Sequence, residues 1–281
     1  MGSEMCIRDS IFTEMKIAAI QMNSSDQVNS NLIKAKSLLA AASDAGADAC
    51  FLPENFAFMG HPKELLNSVM EDEVNGIIQT EISNIAKELK IWIIAGSIPI
   101  RDSETGKAFS RSITFNDDGE IVGHYDKVHL FDVEVNGKKY HESEAFNAGV
   151  QPRSISTPWF KMGLSICYDL RFPELYRSEE FTDVELISVP SAFTKETGEA
   201  HWLTLLQSRA IENLAYVIAP NQWGEHYGSR ETFGHSVIID PWGKIIELIK
   251  DGEGFVLAEI DTEGLQSIRK KFPALGHRKI K

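Results

Sequence analysis

The sequence predicts an α/β protein whose inner strands run parallel. Between residues 16 and 97, short apolar runs alternate with longer segments in which apolar residues recur every three or four positions. Alternation of this kind is typical of a parallel sheet covered by helices. With 281 residues and 43% hydrophobic content, the chain is also long and apolar enough to bury one large core.

The first half of the chain contains three apolar runs and two helical patterns. The first helical pattern is closed by Gly46, a residue type that commonly ends helices. We predict strands over 16–22, 47–52 and 91–97 and helices over 29–45 and 76–89. Two further strands, 110–116 and 120–125, flank the hairpin-type turn Asp117-Asp118-Gly119, so an antiparallel pair follows the parallel series.

The second half returns to alternation after a polar stretch. Residues 132–148 are polar and irregular, and they predict a loop that folds over a cleft. We then predict strands over 184–190, 215–220, 234–240, 244–248 and 254–260 and helices over 199–214 and 262–271. A second tight turn is indicated by Pro241-Trp242-Gly243. Residues 1–14 lack periodicity, so we expect an extraneous extension there and a single domain over 15–281.

Charge and composition exclude several classes of partner. The formal charge is −13, and partners such as nucleic acid or an anionic membrane need clustered Lys and Arg instead. The sequence has no transmembrane run and no signal-peptide pattern, so no membrane partner is expected. Three cysteines are too few for a disulfide framework and indicate a reducing compartment, which we take to be the cytoplasm.

Cys167 lies at a predicted strand-to-helix elbow. Leu164 and Ile166 are typical of a buried strand, and Pro173 suits the first turn of a helix. A thiol placed before a helix gains thiolate character from the helix dipole, which predicts a nucleophile. The alternative is that Cys167 is one more small buried hydrophobe.

Two other ionisable residues follow predicted strands, where parallel α/β folds place reactive groups. Glu54 ends one strand and Lys127 lies just after another. The alternative for each is a solvated loop charge. A zinc motif starting at His141 fails because position 145 is alanine, and neither a phosphate-binding loop nor a GxSxG elbow is present, so no metal or cofactor is expected.

The ordered motifs LPEN, YDKVHLF and SICYDLRFPEL resemble those of the nitrilase superfamily of carbon–nitrogen hydrolases. The similarity extends over residues 15–279. It implies a four-layer α-β-β-α sandwich that works without a cofactor, as a homo-oligomer of two or more subunits. A cysteine–histidine pair of the papain type would leave Glu54 and Lys127 unexplained.

Carried over residue by residue, the resemblance implies a role for each site residue. Cys167 would be the nucleophile, Glu54 the general base, Lys127 the cation at the oxyanion and Glu142 a second carboxylate. The reaction would be amide hydrolysis through a thioester, with release of ammonia. The backbone N–H of Tyr168 would assist Lys127 at the oxyanion. The alternative for Glu142 is a surface residue in a mobile loop.

The peripheral motifs bear on the substrate. RFPE at 171–174, SAFTKETGEAHW at 191–202 and GEHYGSRETFGHS at 224–236 are most similar to the branch that hydrolyses deaminated glutathione. The alternatives are an omega-amidase acting on 2-oxoglutaramate-type amides and, in another class, a non-catalytic scaffold on the same fold. Arg171 is expected to bind a substrate carboxylate, unless it pairs with Asp169 or Glu174. Phe193 and Thr194 are expected as pocket walls, or Phe193 as core.

Overall fold

The computed structural model describes residues 15–60, 63–135 and 137–280. The expected N-terminal extension over residues 1–14 lies outside the described residues. The strands are β1 (Met15–Gln21), β2 (Ala49–Phe51), β3 (Trp92–Arg101), β4 (Ala108–Phe115), β5 (Ile121–Asp126), β6 (Asp132–Val135), β7 (Lys138–His141), β8 (Phe146–Asn147), β9 (Arg153–Ser156), β10 (Lys161–Leu164), β11 (Leu186–Ser188), β12 (Tyr216–Ala219), β13 (Trp223–His226), β14 (Arg230–Phe233), β15 (Ser236–Ile239), β16 (Ile245–Ile249) and β17 (Gly254–Ile260). The helices are α1 (Val28–Asp44), α2 (Lys63–Val69), α3 (Ile77–Leu89), α4 (Pro173–Tyr176), α5 (Lys195–Asn213) and α6 (Thr262–Lys271).

Most of these strands form two mixed sheets. The first has the order β17-β1-β2-β3-β4-β5, with β8 beside β4, and the second has the order β16-β15-β12-β11-β10-β9. The central strands β1-β2-β3 and β10-β11-β12 run parallel, which confirms the predicted parallel interior. The outer strands are antiparallel, and the predicted hairpins β4–β5 and β15–β16 are both present.

Alternating side chains of β1 show how the layers stack. Ile17 and Ala19 belong to the core between the two sheets, whereas Ala18 and Ile20 belong to the core under α1 and α3. All four are fully buried, as expected for a strand covered on both faces. On the second sheet, α5 packs against β12 and β15. The resulting order of helices, sheet, sheet and helix confirms the predicted four-layer sandwich.

The prediction of an irregular loop over residues 132–148 was wrong. Strands β6 and β7 form a two-stranded antiparallel hairpin, and β8 then joins the first sheet. Gly137 has φ of +77°, a conformation that glycine adopts without steric cost and that reverses the chain between β6 and β7. Each strand has only four residues and is only partly buried; β7 shows no apolar alternation, and the alternation in β6 is confined to Val133 and Val135.

Gly96 lies where β3 passes close to the turn that carries Glu54. A Cβ at this position would lie 1.9 Å from the carbonyl oxygen of Pro53 and 2.5 Å from that of Leu52. No side chain fits there without moving backbone, and β3 is irregular at this point, between Ala95 and Ile98. The absence of a side chain at residue 96 therefore fixes how closely β3 approaches the end of β2.

We expect Gly96→Ala to lower the free energy of unfolding by about 2 kcal/mol, because overpacking against backbone forces the neighbouring segment to shift. Chemical denaturation measures this quantity. Gly276→Ala is the matched control, since nothing lies within 4 Å of a Cβ added there, and its effect should stay within about 0.5 kcal/mol. Equal stability of the two variants would contradict the close approach.

Candidate active site

A single cavity of about 720 Å³ brings the predicted site residues together. It is walled by segments that follow strands of both sheets, by the β6–β7 hairpin and by the β13–β14 hairpin. All eight residues predicted from the sequence line it: Glu54, Lys127, Glu142, Cys167, Tyr168, Arg171, Phe193 and Thr194.

The topology explains why distant residues meet at this cavity. Glu54 follows β2 and Lys127 follows β5, and both strands point the same way in the first sheet. Cys167 follows β10 in the second sheet. The carboxyl ends of such strands lie at one edge of each sheet, so packing the sheets face to face brings the three side chains together.

The ammonium group of Lys127 is the centre of the site. Its Nζ lies 2.7 Å from Oε1 of Glu54 and 3.0 and 2.9 Å from the two carboxylate oxygens of Glu142. The second oxygen of Glu54 accepts the N–H of Ala192 at 2.8 Å, and Glu142 accepts that of Phe131 at 2.6 Å. Glu54 and Lys127 are 2% and 1% exposed. The alternatives of solvated loop charges are therefore wrong for all three ionised residues.

Cys167 sits on a strained backbone next to Glu54. Its φ is +47°, in the left-handed region that non-glycine residues rarely occupy and that is often found at functional sites. Its N–H donates to the carbonyl of Pro190 at 3.0 Å. The Glu54 carboxylate is close enough to the thiol for the two groups to shift each other's pKa. Although 93% of the residue is shielded from solvent, the sulfur still faces the cavity, so Cys167 is not merely a core residue.

Burial and mutual contact shift the pKa values of the three charged groups in different directions. Burial by itself would raise the pKa of Glu54, but the charge and hydrogen bond of Lys127, together with the charge of Arg230, hold it below its usual value. Burial would lower the pKa of Lys127, but Glu142 and Glu54 raise it above the ordinary value. Burial raises the pKa of Glu142, and Lys127 only partly offsets this effect. At neutral pH Lys127 is therefore an ammonium and Glu54 a carboxylate.

The expectation that Cys167 has enhanced thiolate character was wrong. Burial, and next the negative charge of Glu54, raise the pKa of the thiol above its ordinary value. The predicted helix dipole is also missing, because residues Cys167–Arg171 form a 3₁₀ turn and α4 is a single turn of four residues. The resting nucleophile is therefore a thiol beside the carboxylate of Glu54.

Asp169 links the turn that carries Cys167 to residues 125–129, the segment that carries Lys127. This role was not predicted from the sequence. It is fully buried, and one oxygen accepts the Tyr125 hydroxyl at 2.8 Å and the Ile166 N–H at 2.9 Å. The other oxygen lies 3.0 Å from the backbone N and 2.7 Å from Nδ1 of His129. An aspartate two residues after the cysteine was the only available signal, and it was considered only as a partner of Arg171.

Arg171 lines the cavity without a carboxylate partner. In the described part of the chain, neither Asp169 nor Glu174 forms an ion pair with it, so that alternative is wrong. Its Nη1 lies 3.2 Å from Nδ1 of His201, and its guanidinium lies 5.2 Å from the ring centre of Phe193 and 5.8 Å from that of Tyr168. The cation is therefore positioned on aromatic rings.

The remaining predicted wall residues have structural contacts as well. Phe193 packs against Trp202 in the core, with ring centres 4.9 Å apart, so it is both core and wall. The hydroxyl of Thr194 lies 2.7 Å from that of Thr197, at the start of α5. Tyr168 meets the ring of Phe131 edge-on at 5.0 Å.

Three more cavity residues were not predicted individually, although two of them, His226 and Arg230, lie within the GEHYGSRETFGHS motif; the third is Tyr140. His226 is buried, with Nδ1 2.8 Å from the Ser24 carbonyl and Nε2 2.7 Å from the Thr232 hydroxyl. Burial lowers its pKa to about 4, so it is neutral at pH 7. Among the described residues, no cluster of three or more His, Cys, Asp or Glu side chains could hold a metal ion.

We expect Cys167 to remain a thiol through neutral pH, because a pKa raised above its ordinary value keeps the proton bound. The difference in absorbance at 240 nm between the protein and its Cys167→Ala variant should stay flat between about pH 6 and pH 9. Cys50, whose pKa burial raises to about 12, is present in both proteins and cancels. A thiolate step near pH 7 in the difference would contradict the resting state described above.

Comparison with known proteins agrees with this geometry. Residues 16–270 match the carbon-nitrogen hydrolase family model. The chain is 42% identical over 265 residues to a deaminated glutathione amidase of Synechocystis sp. strain PCC 6803, covering 93% of this chain and 97% of the relative.

Solved structures share the fold over nearly the whole chain. Nit3 of Saccharomyces cerevisiae, a member of the nitrilase superfamily, superposes with a TM-score of 0.85 at 32% identity, covering 95% of this chain and 97% of Nit3. The NitFhit protein of Caenorhabditis elegans gives a TM-score of 0.87 at 34% identity, covering 95% of this chain but 65% of NitFhit. The chain belongs to the carbon–nitrogen hydrolase family, within the nitrilase superfamily.

Proposed function

We propose that this carbon–nitrogen hydrolase cleaves the amide bond of a small carboxylate-bearing compound through a thioester on Cys167. The observation that carries the proposal is the position of Glu54 in the cavity, in contact with the Lys127 ammonium and near enough to the Cys167 thiol to raise its pKa. A carboxylate that touches nucleophile and cation together can take the proton of the first while the second stabilises the new negative charge.

In the first step, the Cys167 sulfur bonds to the amide carbon as its proton passes to Glu54. The carbonyl oxygen gains the electron pair, and Lys127 and the N–H of Tyr168 stabilise it. Because Glu54 becomes neutral as the oxygen becomes negative, the charge moves from one neighbour of Lys127 to another. The step therefore adds no net charge to the buried site, where an additional unpaired charge would be costly.

In the second step, Glu54 returns its proton to the departing nitrogen, and the carbon–nitrogen bond breaks. Water, deprotonated by Glu54, then attacks the thioester and releases the acid and the thiol. The leaving group depends on the amide: a primary amide releases ammonia, whereas the secondary amide of deaminated glutathione releases an amine. Glu142 stays beside Lys127 and holds it in place, supported by the Phe131 N–H.

We propose deaminated glutathione as the substrate, which is what the Synechocystis relative is named for. The two cavity guanidiniums, Arg171 and Arg230, support a carboxylate-bearing substrate in a protein whose formal charge is −13.

We further propose that residues 15–281 act as a single domain and that the protein is a cytoplasmic homo-oligomer of two or more subunits. The described cysteines, Cys50 and Cys167, are both free, as expected in a reducing compartment. None of the described helices combines the length and apolar composition needed to cross a membrane.

We expect an acyl adduct on Cys167 in intact-mass spectra taken during turnover of a small amide, and none in Cys167→Ala.

Lys127→Met should bind substrate but lose about 10²- to 10³-fold in kcat, because one stabilising group at the oxyanion is removed. Lys139→Met, an exposed cation of the cavity rim, is the matched control and should retain most of kcat. Absence of any hydrolysis across an amide panel would favour the scaffold alternative, and a fully active Lys127→Met would remove the assigned role.

We expect kcat/KM for deaminated glutathione to exceed that for 2-oxoglutaramate. Both compounds present the same acyl group, so the comparison isolates what the leaving group contributes to kcat/KM. Steady-state kinetics with both substrates at equal enzyme concentration gives the ratio. A clear preference for 2-oxoglutaramate would instead support the omega-amidase alternative.

A further inference from the structure

Arg230, at the start of β14, is a partly buried cation on the cavity wall. Its Nη2 donates to the carbonyl of Ala192 at 3.1 Å, and its guanidinium lies 6.0 Å from the ring centre of Tyr140. Its Nε–H is buried and has no hydrogen-bond partner. A buried donor without an acceptor is costly. Because this Nε–H is shielded from solvent, a ligand in the cavity would reach the rest of the Arg230 side chain, which lines the cavity.

The charge of Arg230 is also not neutralised by the protein. Lys127 has two carboxylates in contact, whereas no described side chain forms an ion pair with Arg230. The field of Arg230 instead extends to the site, where it lowers the pKa of Glu54.

The position of Arg230 relates it directly to the reacting groups. Its acceptor is the carbonyl of Ala192, and the N–H of the same residue donates to Glu54. Ala192 therefore contacts both Arg230 and Glu54, the proposed general base. A substrate anion bound by the Arg230 guanidinium would lie on the same wall of the cavity as Glu54.

We propose that Arg230 binds the carboxylate of the acyl portion of the substrate, an inference that rests on the proposed amidase function. Guanidinium recognises carboxylate with strong, charge-assisted hydrogen bonds, and it does so best where water is partly excluded. The acyl portion remains in the cavity until the thioester is hydrolysed, whereas the leaving group departs when the thioester forms. An anchor for the acyl carboxylate therefore keeps the thioester aligned while water attacks.

The test compares two amides that differ only at the proposed contact. One is 2-oxoglutaramate, and the other is 4-oxopentanamide, which has a methyl group in place of the carboxylate. We expect the ratio of their kcat/KM values to fall about 10- to 100-fold in Arg230→Gln, mostly through KM for 2-oxoglutaramate. Arg230→Lys, which keeps the positive charge but loses the paired N–H donors of the guanidinium group, should give an intermediate ratio. Arg153→Gln, on exposed β9 and outside the cavity wall, is the control and should leave the ratio unchanged.

A purely structural role for Arg230 predicts a different result. Loss of its bond to Ala192 would disturb Glu54 and slow both amides equally, so an unchanged ratio would overturn the proposal. The proposal is supported if the ratio of the two kcat/KM values is highest in the unaltered protein, lower in Arg230→Lys and lowest in Arg230→Gln.

A binding measurement separates this proposal from the proposed function. Calorimetry with the Cys167→Ala variant measures the Kd of 2-oxoglutaramate without turnover. We expect the additional change Arg230→Gln to raise that Kd at least 10-fold. If the unaltered protein hydrolyses no amide, the proposed function fails, but this Kd still decides the role of Arg230. An unchanged Kd, or no binding by Cys167→Ala itself, would overturn the role.

Discussion

The buried ammonium group of Lys127, held between Glu54 and Glu142, is the interaction on which the rest of the site depends. Removing Lys127 would leave buried carboxylate charge without its cation, and breaking a buried ion pair in this way typically costs about 3–5 kcal/mol. The three residues come from the ends of β2 and β5 and from the segment after the β6–β7 hairpin, so the ion cluster forms only when these elements have assembled. The surrounding structure serves this constraint: Gly96 allows β3 to approach the turn before Glu54, and the N–H of Ala192 fixes the free oxygen of Glu54.

The cluster also explains how a protonated thiol can act as a nucleophile. The pKa of Cys167 is raised, so activation depends on transferring the proton to Glu54 during attack, with no standing population of thiolate required. Asp169 and the strained φ of Cys167 hold the sulfur in position for that transfer. The charges elsewhere in the cavity fit the same scheme, because Lys127 stays paired while Arg171 and Arg230 have no carboxylate partner among the described side chains.

The sequence predicted the elements that pack on both faces and missed those that do not. Strands such as β1 and β17 carry continuous or alternating apolar residues, and the last strand and helix were predicted residue for residue. The β6–β7 hairpin has polar strands and therefore looked like a loop. Glu54, Lys127 and Cys167 follow recognisable strands within distinctive motifs, and Glu142 was carried over with them, so all four were found. Arg230 and Asp169 act through contacts with residues 38 and 40 positions away, which no local pattern encodes. The pKa of Cys167 was misjudged because burial and a neighbouring carboxylate are tertiary effects.

A structure of the tetrahedral state tests the central claim most directly. The aldehyde 2,5-dioxopentanoate has the acyl chain of 2-oxoglutaramate and would add to Cys167 as a thiohemiacetal, which mimics the first intermediate. The account predicts that its oxygen lies about 3 Å from both the Nζ of Lys127 and the backbone nitrogen of Tyr168, with Glu54 and Glu142 still in contact with Lys127. A crystal structure in which the sulfur is modified but the oxygen points away from Lys127 would contradict it.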